Sequence, residues 1–92
     1  MKRIDWTDGA LSDLRRLYDF LAPVNPPAAA RTVQTLAASP ERLLDHPRLG
    51  ERLDEFAPRE VRRLRVGRYE VRYEVGAEKL SILRVFHARE DR

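Results

Sequence analysis

The sequence predicts one small α+β domain in which a four-stranded, mainly antiparallel sheet packs on a helical hairpin. Three observations predict it. Apolar residues between positions 8 and 44 recur at helical spacing, those between 61 and 75 alternate with charged residues, and the run LSILRVFH at 80–87 is apolar on both faces. The elements follow the order strand, helix, helix, strand, strand, strand, and residues 1–92 contain no repeat or linker. We therefore expect a single domain.

The first half of the chain predicts a short strand at residues 2–6 and two helices. Thr7 can cap the first helix with its side-chain oxygen, and Pro23 follows its end. Asn25 and Pro26 form a second start signal, and the Ser39-Pro40 step is expected to kink the second helix or restart it. The core-facing stripe of the first helix is expected to hold Ala10, Leu11, Leu14, Leu17, Tyr18 and Leu21, with Asp13, Arg15, Arg16 and Asp19 away from it.

The second half predicts three antiparallel strands after a long polar loop at residues 48–59. The segments VRRLRV and RYEVRYEV alternate, so their arginines are expected on a partly exposed face, and Gly67 marks a tight turn between them. The last strand, apolar on both faces, is expected inside the sheet. Single aromatic residues over a small sheet usually belong to the core, which is where we expect Trp6, Tyr69 and Tyr73.

Composition excludes several classes of protein. The chain has no cysteine and only two histidines, so we expect no disulfide, no metal site and no cofactor. It has no long apolar run, so we expect a cytoplasmic protein without a membrane span. The formal net charge of +3 lies in the half after Pro47, and sixteen of the eighteen basic residues are arginine. Arginine presents a planar fork that suits phosphate or carboxylate, although base composition alone could also produce this bias.

Four segments of the chain resemble toxins of the RelE/ParE superfamily from type II toxin-antitoxin modules. They are ALSDLRRLYDFL, DHPRLGERLDEF, RRLRVGRYEVRYEV and ILRVFHARED, and together they extend over nearly the whole length. Within the superfamily, these segments are more similar to the ParE branch than to the RelE branch. The resemblance implies a small antitoxin whose C-terminal segment wraps the toxin, and arrest of growth when the toxin is free. RelE-like members cut messenger RNA on the ribosome, and ParE-like members poison DNA gyrase.

The resemblance also favours one activity over the other. In the nucleolytic relatives a catalytic arginine directly follows the first aromatic residue of the third strand, and here that register reads Tyr69, Glu70, Val71, Arg72, Tyr73. A glutamate therefore stands where the phosphate-binding cation is expected, and Arg72 shares its strand face and could be neutralised by it. We expect a ParE-like toxin that binds gyrase, with no favoured catalytic residue and with DNA contacted only indirectly through the antitoxin.

The candidate site residues divide into three sets. Acidic and apolar antitoxin residues would suit Arg63, Arg65, Arg72 and Arg84, and the target-binding candidates are Arg15, Arg16, Arg62 and Arg68. The alternative function is a ribosome-dependent mRNA endonuclease with His87, Arg89 and Arg65 as its catalytic groups, since imidazole transfers protons near neutral pH. His87 could instead be structural and bond the chain end. A second alternative is a non-toxic domain that only binds an antitoxin. The short tail HAREDR is expected to leave an apolar groove beside the sheet open for the antitoxin segment.

Overall fold

The computed structural model describes residues 2–90 and contains two α-helices and a five-stranded sheet. The elements are β1 (Arg3–Trp6), α1 (Asp8–Leu21), α2 (Pro26–Ala38), β2 (Glu51–Arg52), β3 (Val61–Val66), β4 (Tyr69–Val75) and β5 (Lys79–His87). The strand order is β1-β5-β4-β3-β2, with β1 parallel to β5 and every other pair antiparallel. The α+β class and the mainly antiparallel sheet are confirmed, and β5 lies inside the sheet as expected.

The predicted strand count of four is wrong, because the loop at residues 48–59 contains the two-residue strand β2 and a 3₁₀ turn at Asp54–Phe56. β2 is too short for alternation to reveal it, and it forms only where β3 offers an edge. Tyr73 anchors this loop from the core: its hydroxyl donates to the Pro47 carbonyl at 2.8 Å and accepts from the Gly50 N–H at 2.9 Å. Both backbone groups are thereby satisfied by a residue of β4, which is two strands away from β2 in the sheet order.

Helix boundaries follow their caps. Thr7 accepts a hydrogen bond from the Ala10 N–H at 3.2 Å, and Asn25 accepts one from the Ala28 N–H at 3.1 Å. The chain restarts after α2 as a 3₁₀ helix at Ser39–Leu44, as the proline predicts.

The expected orientation of α1 is only partly correct. Ala10 and Leu17 are buried, but Leu11 and Tyr18 are exposed, and Asp13, expected to face solvent, is only 5% exposed. The helical spacing 10, 13, 14, 17 already places Asp13 on the buried side. Its charge led to the wrong expectation.

The two faces of the sheet differ in composition. On the helix side lie the core residues, with Trp6 and Tyr69 packed at the periphery and Tyr73 fully buried. The core cluster is Ala10, Leu17, Leu36, Leu43, Leu64, Val71, Tyr73, Leu80, Ile82 and Val85. Gly67, with φ +59°, forms the two-residue turn between β3 and β4. The other side carries arginines and is partly covered by the 3₁₀ turn that ends at Phe56.

Replacing Gly50 by alanine should destabilise the fold. A Cβ atom there would lie 2.5 Å from the Arg63 carbonyl oxygen and 2.8 Å from the Tyr73 hydroxyl, so backbone must shift. We expect Gly50→Ala to lower the free energy of unfolding by about 2 kcal/mol in urea denaturation. Gly9→Ala is the control, because its Cβ would meet nothing nearer than 3.5 Å, and we expect no loss there. Equal stabilities of the two variants would contradict this packing.

Candidate functional site

A groove of about 1040 Å³ opens between the α1–α2 hairpin and the β3–β4 turn. Its floor is apolar and is formed chiefly by Leu17, Phe20, Leu36, Val66 and Tyr69. Phe20 is 76% exposed although it is a large apolar side chain. An exposed apolar surface of this kind, rimmed by polar groups, marks a site for a partner or a ligand.

The rim of the groove is basic. It carries Arg16, Arg31, Arg68, Arg89 and Glu90, with His87 beside them. Arg31, Arg68 and Arg89 are exposed, and no carboxylate within residues 2–90 forms an ion pair with any of them. An apolar floor with arginines around it is complementary to an amphipathic segment that carries acidic residues.

One wall of the groove depends on how α1 covers the outer edge of β5. β1 ends at Trp6, opposite Ile82, while β5 continues to His87, so the last residues of β5 have no neighbouring strand on that side. Side chains of α1 and of its N-cap form hydrogen bonds with these peptide groups, which have no strand partner. The Thr7 hydroxyl donates to the Ile82 carbonyl at 2.7 Å, Asp13 accepts from the Val85 N–H at 2.8 Å, and Arg16 donates to the Val85 carbonyl at 3.3 Å.

Asp13 is the centre of this arrangement. Arg84 donates to both of its carboxylate oxygens, at 2.8 and 3.2 Å, and Arg16 lies 3.5 Å away. Burial raises the pKa of Asp13, but the hydrogen bonds from Arg84 and Val85 and the charges of both arginines outweigh it and hold that pKa below its ordinary value. The carboxylate is therefore charged and fully bonded at neutral pH.

The opposite side of the sheet forms a second surface, the arginine face, which carries Arg63, Arg65, Arg72 and Arg84. The register places Arg63, Arg72 and Arg84 side by side across β3, β4 and β5. The four antitoxin-binding candidates therefore start from one side of the sheet, but the Arg84 side chain turns to Asp13 of α1 at the edge of β5. Three of them are already paired within the chain, however: Arg63 with Glu51 at 2.7 Å, Arg72 with Glu70, and Arg84 with Asp13. Among residues 2–90, Arg65 alone of the four has no ion pair.

Glu70 neutralises the middle of the arginine face. It is 5% exposed, whereas the alternation predicts a partly exposed side chain, and it pairs with Arg72 at 2.9 Å and with Arg63 at 3.8 Å. The Phe56 and Phe86 rings lie 5.6 and 5.1 Å from the Arg72 guanidinium. The 3₁₀ turn and the end of β5 thus cover Glu70, and its expected neutralisation of Arg72 is confirmed.

The structure brings together only two of the three alternative catalytic residues, because His87 and Arg89 line the groove and Arg65 lies on the other side of the sheet. In the strand register His87 lies opposite Tyr69 and lines the groove on the helix side, whereas Arg65 lies opposite Glu70 on the arginine face. The His87 ring meets the Tyr69 ring edge to face at 5.3 Å, and its Nδ1 accepts from the Arg89 N–H at 3.1 Å. His87 therefore bonds the chain end, as the structural interpretation expects, and Arg65 is on the other side of the sheet.

The target-binding candidates do not form one patch. Arg16 is bonded to β5 and Glu90, and Arg62 is largely buried and pairs with Glu60 while donating to the Gly50 carbonyl at 2.7 Å. Only Arg15 on α1 and Arg68 in the β3–β4 turn are exposed, with no ion pair in the described part of the chain. Within residues 2–90, no cluster of three His, Cys, Asp or Glu side chains could hold a metal ion, and no helix is long and apolar enough to cross a membrane.

Sequence reasoning missed part of the groove. Phe20 and Arg31 line it, and nothing in the local sequence distinguishes Arg31 from an ordinary surface residue. Phe20 carries the one available signal, because it falls outside the buried spacing of α1 and still is large and apolar.

The fold is that of toxins from toxin-antitoxin modules. The chain is similar to the structure titled "Chromosomal ParDE TA system from P. aeruginosa", with a TM-score of 0.80, 24% identity and coverage of 95% of this chain and 96% of that one. It is also similar to a chain of the RelBE2 toxin-antitoxin complex from Mycobacterium tuberculosis, with a TM-score of 0.59, 25% identity and coverage of 94% and 96%.

Sequence comparison narrows the class to a family. The profile described as "ParE toxin of type II toxin-antitoxin system, parDE" matches residues 4–92, so the chain belongs to the ParE toxin family. It is also 33% identical over 88 residues to Toxin RelE2 of Caulobacter vibrioides, covering 96% of this chain and 97% of that protein. The membership in the RelE/ParE superfamily inferred from the four segments is confirmed.

Removing the charge of Asp13 should make stability depend less on pH. We expect Asp13→Asn to lower the free energy of unfolding by about 2 kcal/mol at pH 7, because hydrogen bonds to a charged group are lost. The lowered pKa of Asp13 stabilises the folded state above its unfolded-state value of about 4, and this contribution is lost as pH falls through the folded-state pKa. The difference between wild type and variant should therefore shrink on acidification.

The measurement is urea denaturation between pH 7 and pH 3, with Asp19→Asn on the exposed side of α1 as the control. A difference that stays constant over this range would contradict the ionised, paired state of Asp13.

Proposed function

We propose that this ParE-family toxin arrests growth by docking on DNA gyrase, and that a cognate antitoxin neutralises it by occupying the groove. The observation that carries the docking mechanism is Glu70, which cancels Arg72 and approaches Arg63 at the place where a nuclease of this superfamily would need a cation. A toxin that acts by binding needs no such cation.

Charge supports docking over phosphoryl transfer. A metal-free ribonuclease requires a base, an acid and an unpaired cation close to one phosphate. His87 has Arg68 and Arg89 near it at the groove, but the arginine face, where the nucleolytic relatives place their catalytic cation, is on the other side of the sheet and holds only Arg65 without an ion pair within residues 2–90. A unit charge beside a phosphate contributes on the order of 1 to 4 kcal/mol, and Glu70 reverses its sign.

For gyrase contact, the proposal retains Arg15 and Arg68 from the candidate set. Both are exposed and unpaired within residues 2–90, so a partner could bind them without breaking an internal ion pair. Arg16 and Arg62 already hold the fold together through carbonyl and carboxylate bonds. A variant of either of the latter two therefore needs its stability measured by urea denaturation, so that a loss of stability is distinguished from a loss of contact.

For the antitoxin, the groove supplies the apolar contact and its basic rim supplies the electrostatic one. The family description names a type II toxin-antitoxin system, and two similar structures come from such systems. On the arginine face, Arg65 is the candidate that a partner's carboxylate could bind without first breaking an ion pair within residues 2–90. An antitoxin segment that bound both Arg65 and the groove would pass around the β3–β4 turn.

The gyrase proposal predicts loss of supercoiling. Purified toxin added to gyrase, relaxed plasmid and ATP should inhibit supercoiling and leave linear DNA after detergent treatment. Arg15→Glu with Arg68→Glu should raise the required concentration about tenfold through weaker electrostatic attraction. Arg42→Glu is the control, since Arg42 is exposed and lies outside the groove.

The relative named RelE2 keeps the endonuclease as the second candidate. Toxin added to 70S ribosomes carrying a defined transcript separates the two. Unchanged supercoiling over a wide range of toxin concentration, with transcript cleavage that His87→Ala abolishes, would overturn the gyrase proposal in favour of the endonuclease.

The groove proposal predicts that Phe20→Asp weakens antitoxin binding at least tenfold in calorimetry, because it buries a charge in the apolar contact. Val24→Asp is the matched control: Val24 is 89% exposed in the same hairpin and does not line the groove. Because both side chains face water, neither variant should change stability by more than about 0.5 kcal/mol. Equal affinities of the two variants would place the antitoxin elsewhere.

A further inference from the structure

The end of β5 holds a carboxylate in an unusual way. Glu90 turns back so that its Oε2 accepts from Arg16 Nη1 at 2.7 Å and its Oε1 accepts from the His87 backbone N–H at 2.7 Å. The Glu90 N–H donates to the His87 carbonyl at 2.9 Å, which closes a turn of four residues. Two donors from separate elements therefore bind the two oxygens of one carboxylate.

Those two donors form a preorganised site. The Arg16 guanidinium is fixed by its bond from Nη2 to the Val85 carbonyl and by Asp13 3.5 Å away. Along β5, the Val85 N–H points away from β4 and donates to Asp13. The next N–H group that points the same way is that of His87. A guanidinium and a backbone N–H are both strong donors to a carboxylate. We call this pair, the Arg16 guanidinium and the His87 backbone N–H, the carboxylate site.

The carboxylate site is accessible, unlike the neighbouring one that Asp13 fills. The side chains of Arg16 and Glu90 are 37% and 27% exposed, against 7% for Asp13. Both belong to the rim of the groove. A partner lying in the groove can therefore reach this site, where the ion pair between Arg16 and Glu90 is only partly buried.

We infer that the carboxylate site binds an acidic side chain of the antitoxin segment, and that Glu90 fills it in cis while the groove is empty. This inference rests on the proposed seat of the antitoxin in the groove. The partner carboxylate replaces Glu90 bond for bond, so the Arg16 guanidinium and the His87 N–H stay satisfied before and after binding. Glu90 then moves into water, and its competition lowers the affinity of the free toxin for its antitoxin.

The site itself can be tested without the antitoxin. In Glu90→Ala, with Asp91→Asn added so that the next carboxylate cannot substitute, acetate is the probe. We expect millimolar acetate to shift the His87 amide and the Arg16 side-chain NMR signals saturably. The Ala88 amide is the internal control, because it donates to the Arg68 carbonyl at 2.8 Å and needs no carboxylate.

The matched variant for the acetate titration adds Arg16→Gln to the same background. It should abolish the saturable shift. A linear shift only, or a saturable one that persists without Arg16, would overturn the assignment of the carboxylate site.

The competition is tested by antitoxin affinity. Glu90→Gln should bind the cognate antitoxin about threefold more tightly, since its neutral side chain competes less well for Arg16. In an Arg16→Gln background, Glu90→Gln should bring no gain. Glu74→Gln is the control for the change in net charge, because Glu74 is 29% exposed and pairs with Arg59 away from the groove.

Each failure has its own signature. If Glu90→Gln and Glu74→Gln change the affinity equally, or Glu90→Gln weakens it, the competition is refuted. If Phe20→Asp leaves antitoxin binding intact, the groove proposal fails while the acetate titration still decides whether the carboxylate site exists.

Discussion

The fold depends on how α1 completes a sheet edge that no strand covers. β1 stops at Trp6, yet β5 continues to His87, and its outward peptide groups would otherwise be buried against α1 without partners. Asp13 bonds the Val85 N–H and is itself held by Arg84 from the same strand. A side chain of α1 thus forms the hydrogen bond that the backbone of a neighbouring strand would otherwise form. This bonding fixes the position of α1 along β5, and the position of α1 determines where the groove opens.

The two surfaces of the sheet have opposite electrostatic character because of where the carboxylates lie. Three arginines of the arginine face, Arg63, Arg72 and Arg84, pair with Glu51, Glu70 and Asp13. Most of the positive charge of this face is therefore neutralised. Around the groove, three arginines of the rim have no such partner within residues 2–90. The surface that looks basic in the sequence is therefore largely neutralised, and the effective positive potential lies beside apolar side chains. This combination suits an acidic, amphipathic protein segment better than a phosphate chain.

The family model that matches this chain is named for ParE, and a relative that is 33% identical to it is named RelE2. A shared scaffold does not decide between their activities, which depend on a few side chains. Here those side chains are the buried Glu70, the Arg72 guanidinium between two phenylalanine rings, and His87 on the far side of the sheet. The proposed docking mechanism rests on these features.

Periodicity was sufficient for the element order, the helix caps at Thr7 and Asn25 and the interior place of β5, because these depend on local spacing and on the polarity of neighbouring residues. The segment likeness was sufficient for the superfamily. The sequence could not predict the strand β2, the burial of Glu70, the partner of Asp13, or the groove with its carboxylate site. Each arises where residues far apart in the chain meet. From the sequence alone a charged residue is predicted to be exposed, because the partner that neutralises it is not known. Arg84 and Asp13 are 71 positions apart, and only their contact turns a surface pattern into a buried pair.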